Sequence, residues 1–336
     1  MLKFDMHLVV DSQLKANGLR VDAGETLAYS RELEYVHAEV VEVKFPELSW
    51  RQIIPIKSGA PLGAEAHRWF ETSAGFGEAA FLNGLATEDF PTVEPLGGEN
   101  TGVIRSAGAK YLVTVQDLRA AAMMKRHVET EKAKLVRRAM ETILEKATIG
   151  TYNTTMGGFK GIAHDDNSTS YTPHATAGSN GNWFTVIAAG TPEKVVHDVQ
   201  SACEAAFIET KGAFNQFDLF LPPALGVLLD RPMSILVNSV RTNLLQTVGQ
   251  YMLSSIPYLR SIKTDVHRLA NAGNAKHRVL LYPRDPEVFD AFIPLDFEQF
   301  APQLSGMAFA THCHLRYGGI RMKHIKAVRR FDLATS

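Results

Sequence analysis

Hydrophobic and polar positions change their period several times along this chain, and the longest uninterrupted pattern lies between Thr114 and Gly150. There TVQDLRAAAMMKRHVETEKAKLVRRAMETILEKATIG holds no glycine or proline before its last residue and is dense in the strongest helix formers. The pattern predicts one long helix, with Thr114 as N-cap, Asp117 at the capping-box position and Gly150 as a left-handed C-cap. Leu118, Ala121, Ala122, Val128, Leu135, Ala139, Ile143 and Ala147 mark a narrow apolar stripe, and Lys125, Arg126, Glu129, Glu131, Lys132, Arg137, Arg138, Glu141 and Glu145 fill much of the remainder. At about 1.5 Å per residue the rod would be roughly 50 Å long. One flank of it must lie open to water or to another subunit.

Elsewhere the pattern is shorter-ranged. Residues 1 to about 26 show no sustained period; the segment to Phe45 starts with helical spacing at Leu27, Leu33 and Val36 and ends strand-like at Val40, Val41 and Val43. LSWRQIIPI then suggests an extended piece docked on something apolar. From Lys57 to Val113 glycine and alanine dominate, with strands expected at about His67 to Ala74 and Gly102 to Val113 and with Trp69, Phe70, Phe76, Phe81 and Phe90 interleaved. A two-stranded ribbon carrying exposed aromatics needs a further surface, either its own domain or a neighbouring subunit. Residues 151 to 182 read as a polar linker. Beyond them the pattern predicts a helix from Thr191 (N-cap) and Pro192 to Lys211, ending at Gly212. A buried strand at Phe217 to Leu221, a helix to Leu229 and a helix over Val240 to Leu253 should follow. Strands come next near Leu259 to Thr264, Arg278 to Tyr282 and Val288 to Phe292. This alternation describes an α/β second domain.

Composition narrows the class. A chain of 336 residues with 45% hydrophobic content can bury a sizeable core, in two domains. With 35 basic against 36 acidic residues it lacks the excess of a dedicated nucleic-acid binder, although it can still surround nucleic acid. Only Cys203 and Cys313 are present, which excludes a disulfide framework and fits cytoplasmic assembly. Neither a signal peptide nor a membrane span is expected, so the reading is of a soluble, intracellular product.

The order of these segments is more specific than any one of them. An N-terminal stretch ELEYVHAEVVEVKFPELSWRQIIPI, a Gly-rich hairpin, SAGAKYLVTVQDLRAA feeding a long charged helix, and IPLDFEQFAPQLSGMAFATHCHLRYGGIRMKHIKAV at the end resemble the Hong Kong 97-fold major capsid proteins of tailed bacteriophages. The resemblance implies an α+β capsid fold: an N-terminal arm (1–56), an extended loop hairpin with flanking strands (57–113), the spine helix and linker of a peripheral domain (114–182), an axial α/β domain (183–292) and return strands of the peripheral domain (293–336). It further implies self-assembly into pentamers and hexamers of an icosahedral shell, built in the host cytoplasm and carried in the virion. Other implied partners are a portal protein, a possible separate scaffold or decoration protein, and packaged double-stranded DNA bound without sequence specificity. Some relatives weld their shells through a loop lysine. Here Lys57 and Lys110 flank the loop and no lysine lies between them, which implies a shell without covalent links. The same fold also builds encapsulin compartments.

Chemistry-bearing motifs are few. Thr311-His312-Cys313-His314, with His324, offers soft ligands, but on a strand His312 and His314 share one face and Cys313 takes the other. Asp165, Asp166 and Glu287 fall in segments that read as solvated loop. Gly97-Gly98 and Gly157-Gly158 lack the residues of a phosphate cradle, and no dinucleotide fingerprint, serine elbow or HExxH occurs. No catalytic, cofactor-binding or metal residue is therefore assigned. The competing expectation of a different class is a cytosolic α/β enzyme with an unrecognised site near His312, Cys313 and His314. The basic end from Arg321 to Arg330 reads either as a charged strand edge or as a surface facing DNA.

Overall fold

The computed structural model describes residues 48–59, 61–76, 94–124, 128–150, 158–173, 182–237, 240–273 and 275–335. The elements expected before residue 46, and Phe81 and Phe90, lie outside them. LSWRQIIPI docks as anticipated, but as a helical turn, α1 (Trp50–Ile53), with Trp50, Ile53 and Ile54 buried, followed by the short strand β1 (Ile56–Lys57). Strands β2 (Ala66–Phe76) and β3 (Glu94–Val103) form an antiparallel ribbon, in register from Ala66 opposite Val103 to Ser73 opposite Leu96, with a one-residue shift before Phe76 meets Glu94. Gly97 and Gly98, outside the strands expected from the sequence, lie within β3. A strand paired on one side only, with no sheet packed on it, tolerates residues that bring nothing to a core.

Strand β4 (Arg105–Thr114) leads into two helices, α2 (Val115–Met124) and α3 (Val128–Ile149). The capping box is present: Asp117 N–H donates to Thr114 Oγ1 at 3.0 Å and Thr114 N–H to Asp117 Oδ2 at 3.2 Å. The single rod is not. Asp117 and Lys132 are fifteen residues apart, which on a continuous helix would separate them by about 22 Å. Instead Lys132 Nζ reaches Asp117 Oδ2 at 2.7 Å and Leu112 O at 2.8 Å, so α2 and α3 are not coaxial. The buried face also differs from the expected stripe: Val136, Met140, Leu144 and Ala147 pack on the core while Leu135, Ala139 and Ile143 face outward. Nor is Gly150 left-handed. The terminal carbonyls of α3 are met by a returning chain, Ile162 N–H to Thr148 O at 2.8 Å and Ala163 N–H to Ile149 O at 3.2 Å. Gly161 permits this approach, since a Cβ there would fall 2.1 Å from Gly150 O. Part of the expected linker is thus built into the core, with Ile162 and Ala163 fully buried, while Lys160, Asp165 and Asp166 stay exposed.

After β5 (Thr169–Ser170) come α4 (Trp183–Ala188) and α5 (Glu193–Glu209). Thr191 precedes α5 as expected, yet its hydroxyl donates to Val186 O at 3.0 Å instead of capping. Gly212 closes α5 at φ +79°, its N–H bonded to Phe207 O. Strand β6 (Phe217–Phe220) and helix α6 (Pro223–Leu229) fall where the pattern put them. The next region does not: Val240 to Leu253 divides into a strand, β8 (Val240–Thr247), paired with β7 (Pro232–Val237), and a helix, α7 (Val248–Ser255). The signal overlooked is Thr247-x-x-Gln250, a full capping box that starts α7 and so releases the preceding residues to the hairpin.

Strands β9 (Leu259–Lys263), β10 (His277–Tyr282), β11 (Phe289–Phe292), β12 (Leu295–Gln299), β13 (Gln303–Ser305), β14 (Ala308–Tyr317), β15 (Ile320–Met322) and β16 (Arg329–Leu333) complete the chain. A five-stranded mixed sheet runs β5-β16-β10-β6-β9, and both of its faces are covered. Leu280 and Tyr282 of β10 enter one core with Trp50, Leu144 and Phe289; Val279 and Leu281 enter another with Trp183, Val199 and Phe217. This is why both strands are dominated by apolar residues, with Asp218 and Arg278 as buried charged exceptions. In a second sheet β14 is central, with β4 along its whole length on one side and β12 and β13 on the other. A three-stranded sheet β1-β11-β15 contains Asp290.

Candidate functional site

The ribbon is the first unusual surface. No third strand joins β2 and β3 among the described residues, so the outer edges of a ribbon about 35 Å long are left without a strand partner. Phe70 is 77% exposed, and Arg68 and Glu99 form a cross-strand ion pair at 2.9 Å. The root of the ribbon, by contrast, is fixed. Arg316 on β14 donates to the carbonyls of Leu62 and Ala64, and Ile104 N–H bonds Glu65 O at 2.8 Å. His67 stacks on Trp69 with ring centroids 5.3 Å apart and lies 4.6 Å from the Phe292 ring. Burial, and then the Arg321 guanidinium, push the His67 imidazole below its ordinary pKa; Asp290 opposes them more weakly. Both ring nitrogens are buried without a hydrogen-bond partner. A neutral ring is the form this position favours.

Other apolar side chains lie in the open. On α3 they are Leu135, Ala139 and Ile143, one turn apart; on α2, Leu118 and Met123; on the β13–β14 hairpin, Leu304, Met307 and Phe309. The stripe read as core-facing in the sequence is thus in part an outer surface. Single exposed apolar residues are ordinary, but several of them on three separate elements are candidate contact surfaces.

Beneath these surfaces, charge is fixed by internal pairs. Arg51 forks Glu141 of α3 (2.7 and 3.0 Å) and Asp296 of β12 (2.6 and 3.2 Å). Asp290, 1% exposed, receives Arg321 at 2.5 Å and Lys323 at 2.9 Å. Arg329 pairs with Glu209 at 2.8 Å, and Asp165 holds both Arg330 and Arg278. These contacts correct the reading of the basic end. Its arginines are engaged inside the fold; Arg329 and Arg330 lie on β16, between β5 and β10, whereas Arg321 lies on β15 at the edge of the three-stranded sheet. Asp165 is likewise an ion-pair partner, while Asp166 pairs with Lys160 at 2.5 Å and Glu287 is exposed.

The candidate ligands do not converge. His312 is exposed opposite Lys110, Cys313 is buried on the other face of β14, and His324 packs on Phe214 with centroids 5.6 Å apart. Among the described residues no three His, Cys, Asp or Glu side chains are grouped to hold a metal. Lys57 and Lys110 are both exposed on strands.

Residues 77–333 match the family model of the major capsid protein. The chain belongs to that family. The capsid protein has no match among curated proteins, but its fold recurs in solved structures. The capsid of Myoviridae phage XM1 superposes with a TM-score of 0.69 at 10% identity, covering 92% of this chain and 99% of that one. The capsid of a native GTA particle gives 0.62 at 11% identity, over 94% and 100% of the two chains. Mycobacterium phage Ogopogo gives 0.55 at 14% identity, over 92% and 100%. The capsid protein therefore has the Hong Kong 97-like fold, and its work is to build a phage capsid from many copies of itself. What the sequence did not reveal were the outward faces on α3 and on the β13–β14 hairpin. An apolar residue facing a neighbouring subunit has the same periodicity as one facing a core.

Proposed function

We propose that the protein forms pentamers and hexamers of an icosahedral shell that encloses double-stranded DNA. The observation that carries this is the ribbon: a rooted, two-stranded projection with Phe70 exposed is unstable as a solitary feature and becomes favourable when it lies on the next subunit. In this reading residues 1–56 are an arm, 57–113 the extended loop with its flanking strands, 114–182 and 293–336 the peripheral domain, and 183–292 the axial domain. A portal protein occupies one vertex, a separate scaffold or decoration protein assists, and assembly takes place in the host cytoplasm. The DNA is held without sequence-specific contacts, in keeping with the near balance of charge. The role is structural, with no catalysis.

Electron microscopy of the purified protein, paired with sedimentation, is the test. Closed icosahedral particles, or uniform pentamers and hexamers that convert to them, are the expected result. A monomer or small dimer at high concentration, with the ribbon folded on its own chain, would overturn the proposal. Because no lysine lies between Lys57 and Lys110, a denaturing gel of shells should show single subunits. Ladders of joined subunits would contradict that.

A further inference from the structure

The five-stranded sheet ends at β9, and beside that edge is a cavity of about 480 Å³ whose charge is unbalanced. Its geometry follows from register. Strands β6 and β9 run parallel with Asp218 opposite Ser261 and Phe220 opposite Lys263, so the period of two places these four residues on one face. Between Phe217 and Asp218 the register jumps from Leu259 to Ser261, leaving Arg260 as the extra residue of a bulge. Bulges re-aim side chains, and here Arg260 turns onto the carboxylate of Asp218, which also accepts the Ser261 hydroxyl at 2.7 Å. Asp218 is 2% exposed, and among the described residues its negative charge is answered by an ion pair with Arg260 alone.

Two further cations line the same cavity, Lys263 of β9 and Arg284 after β10, and Asp218 is the only acid among its described lining residues. Neither Lys263 nor Arg284 forms an ion pair among the described residues, and both are exposed. Three positive groups against one negative leave the cavity with an excess of two. Gln52 adds an amide donor at the rim.

We infer that this cavity is a binding site for a phosphate-type oxyanion, held by Arg284, Lys263 and the outer edge of the Arg260 guanidinium. Arginine forks suit tetrahedral oxyanions with several acceptor oxygens, and a phosphate group carries close to the two charges that the cavity lacks. Asp218 takes no part in contacting the anion: it orients Arg260 and is itself neutralised. The phosphate can come from free inorganic phosphate, whose charge alone answers both cations, or from the backbone of nucleic acid, where each phosphodiester presents two free oxygens and one charge, so that two successive phosphates would be needed to answer both.

The test is calorimetric titration of inorganic phosphate into the full-length subunit, with ionic strength held constant by sodium chloride. One saturable site is expected. The double variant Lys263→Gln/Arg284→Gln should bind about tenfold or more weakly, as expected for loss of charge-assisted hydrogen bonds. Its melting temperature without phosphate should be unchanged, since both side chains are exposed and unpaired. Lys134→Gln, an exposed position of α3 outside the cavity lining, should bind as the parent does. A short double-stranded oligonucleotide that competes with phosphate, with a salt slope that falls by about 2 in the double variant, assigns the site to nucleic-acid phosphate. Saturable phosphate uptake without that competition assigns it to the free anion. Absence of saturable uptake, or equal uptake by the double variant, overturns the inference. So does loss of assembly in the double variant when the parent takes up no phosphate, which would place a carboxylate of a second copy in the cavity.

Discussion

Replacing Phe70 by threonine separates what the ribbon does for the subunit from what it does for the shell. Threonine keeps the preference for a strand and removes the ring. Phe70 is 77% exposed, so the isolated subunit loses little, within about 0.5 kcal/mol of its stability. The shell is different. Of roughly 200 Å² on a phenylalanine side chain, about 150 Å² remains to be buried by a neighbour. At ~25 cal/mol per Å² this is an upper figure of about 4 kcal/mol per subunit. With ~1.4 kcal/mol for each factor of ten, the concentration at which shells form should rise by roughly one to three orders of magnitude. Sedimentation velocity across a dilution series measures that threshold, and urea titration of the unassembled subunit measures stability. An unchanged threshold with unchanged stability would refute the placement of Phe70 at a subunit contact. A large loss of stability would show that the ring packs on its own chain.

Asp290→Ala should destabilise the subunit by about 3 to 5 kcal/mol, because the buried Arg321 is left without its partner; urea titration would show it, and a loss under 1 kcal/mol would mean the pair is hydrated. His67 has a folded-state pKa below its unfolded value, so its contribution is complete above about pH 6.5 and fades as pH falls towards the lowered value. Asp290 and Arg321 are the charged groups that act on it, and His164 and His277 shift in the same direction. His67→Phe should therefore flatten, without abolishing, the loss of stability between pH 7 and 5, and an identical slope in parent and variant would discount the ring. Cys203 is fully buried, and burial raises its pKa to about 12. A thiol reagent at pH 8 should leave it unmodified in the native subunit and react once urea unfolds the chain.

Much of this protein is settled by local sequence. The density of helix formers specifies helix on both sides of residue 125, Thr114 and Asp117 fix where it starts, and Gly212 ends α5 because its φ of +79° suits no side chain. FDLFL and RVLLY demand burial on two faces, and the glycines with interleaved aromatics mark a ribbon that has no core of its own. These are short-range properties: propensity, capping and the period of burial are written within a few residues. Tertiary structure alone decided the break between α2 and α3, since Lys132 finds Leu112 and Asp117 only when the chain reverses. It also decided which stripe of α3 is inside, because Leu135 and Leu144 are equally apolar and differ only in what lies opposite. The strand at Val240 to Thr247 exists because β7 pairs with it, and the arginines of the basic end are paired because Glu209, Asp165 and Asp290 meet them from distant parts of the chain. A side chain's pattern records that it needs a partner. Which partner it finds, core, counter-ion or neighbouring subunit, is fixed only when remote segments are brought together.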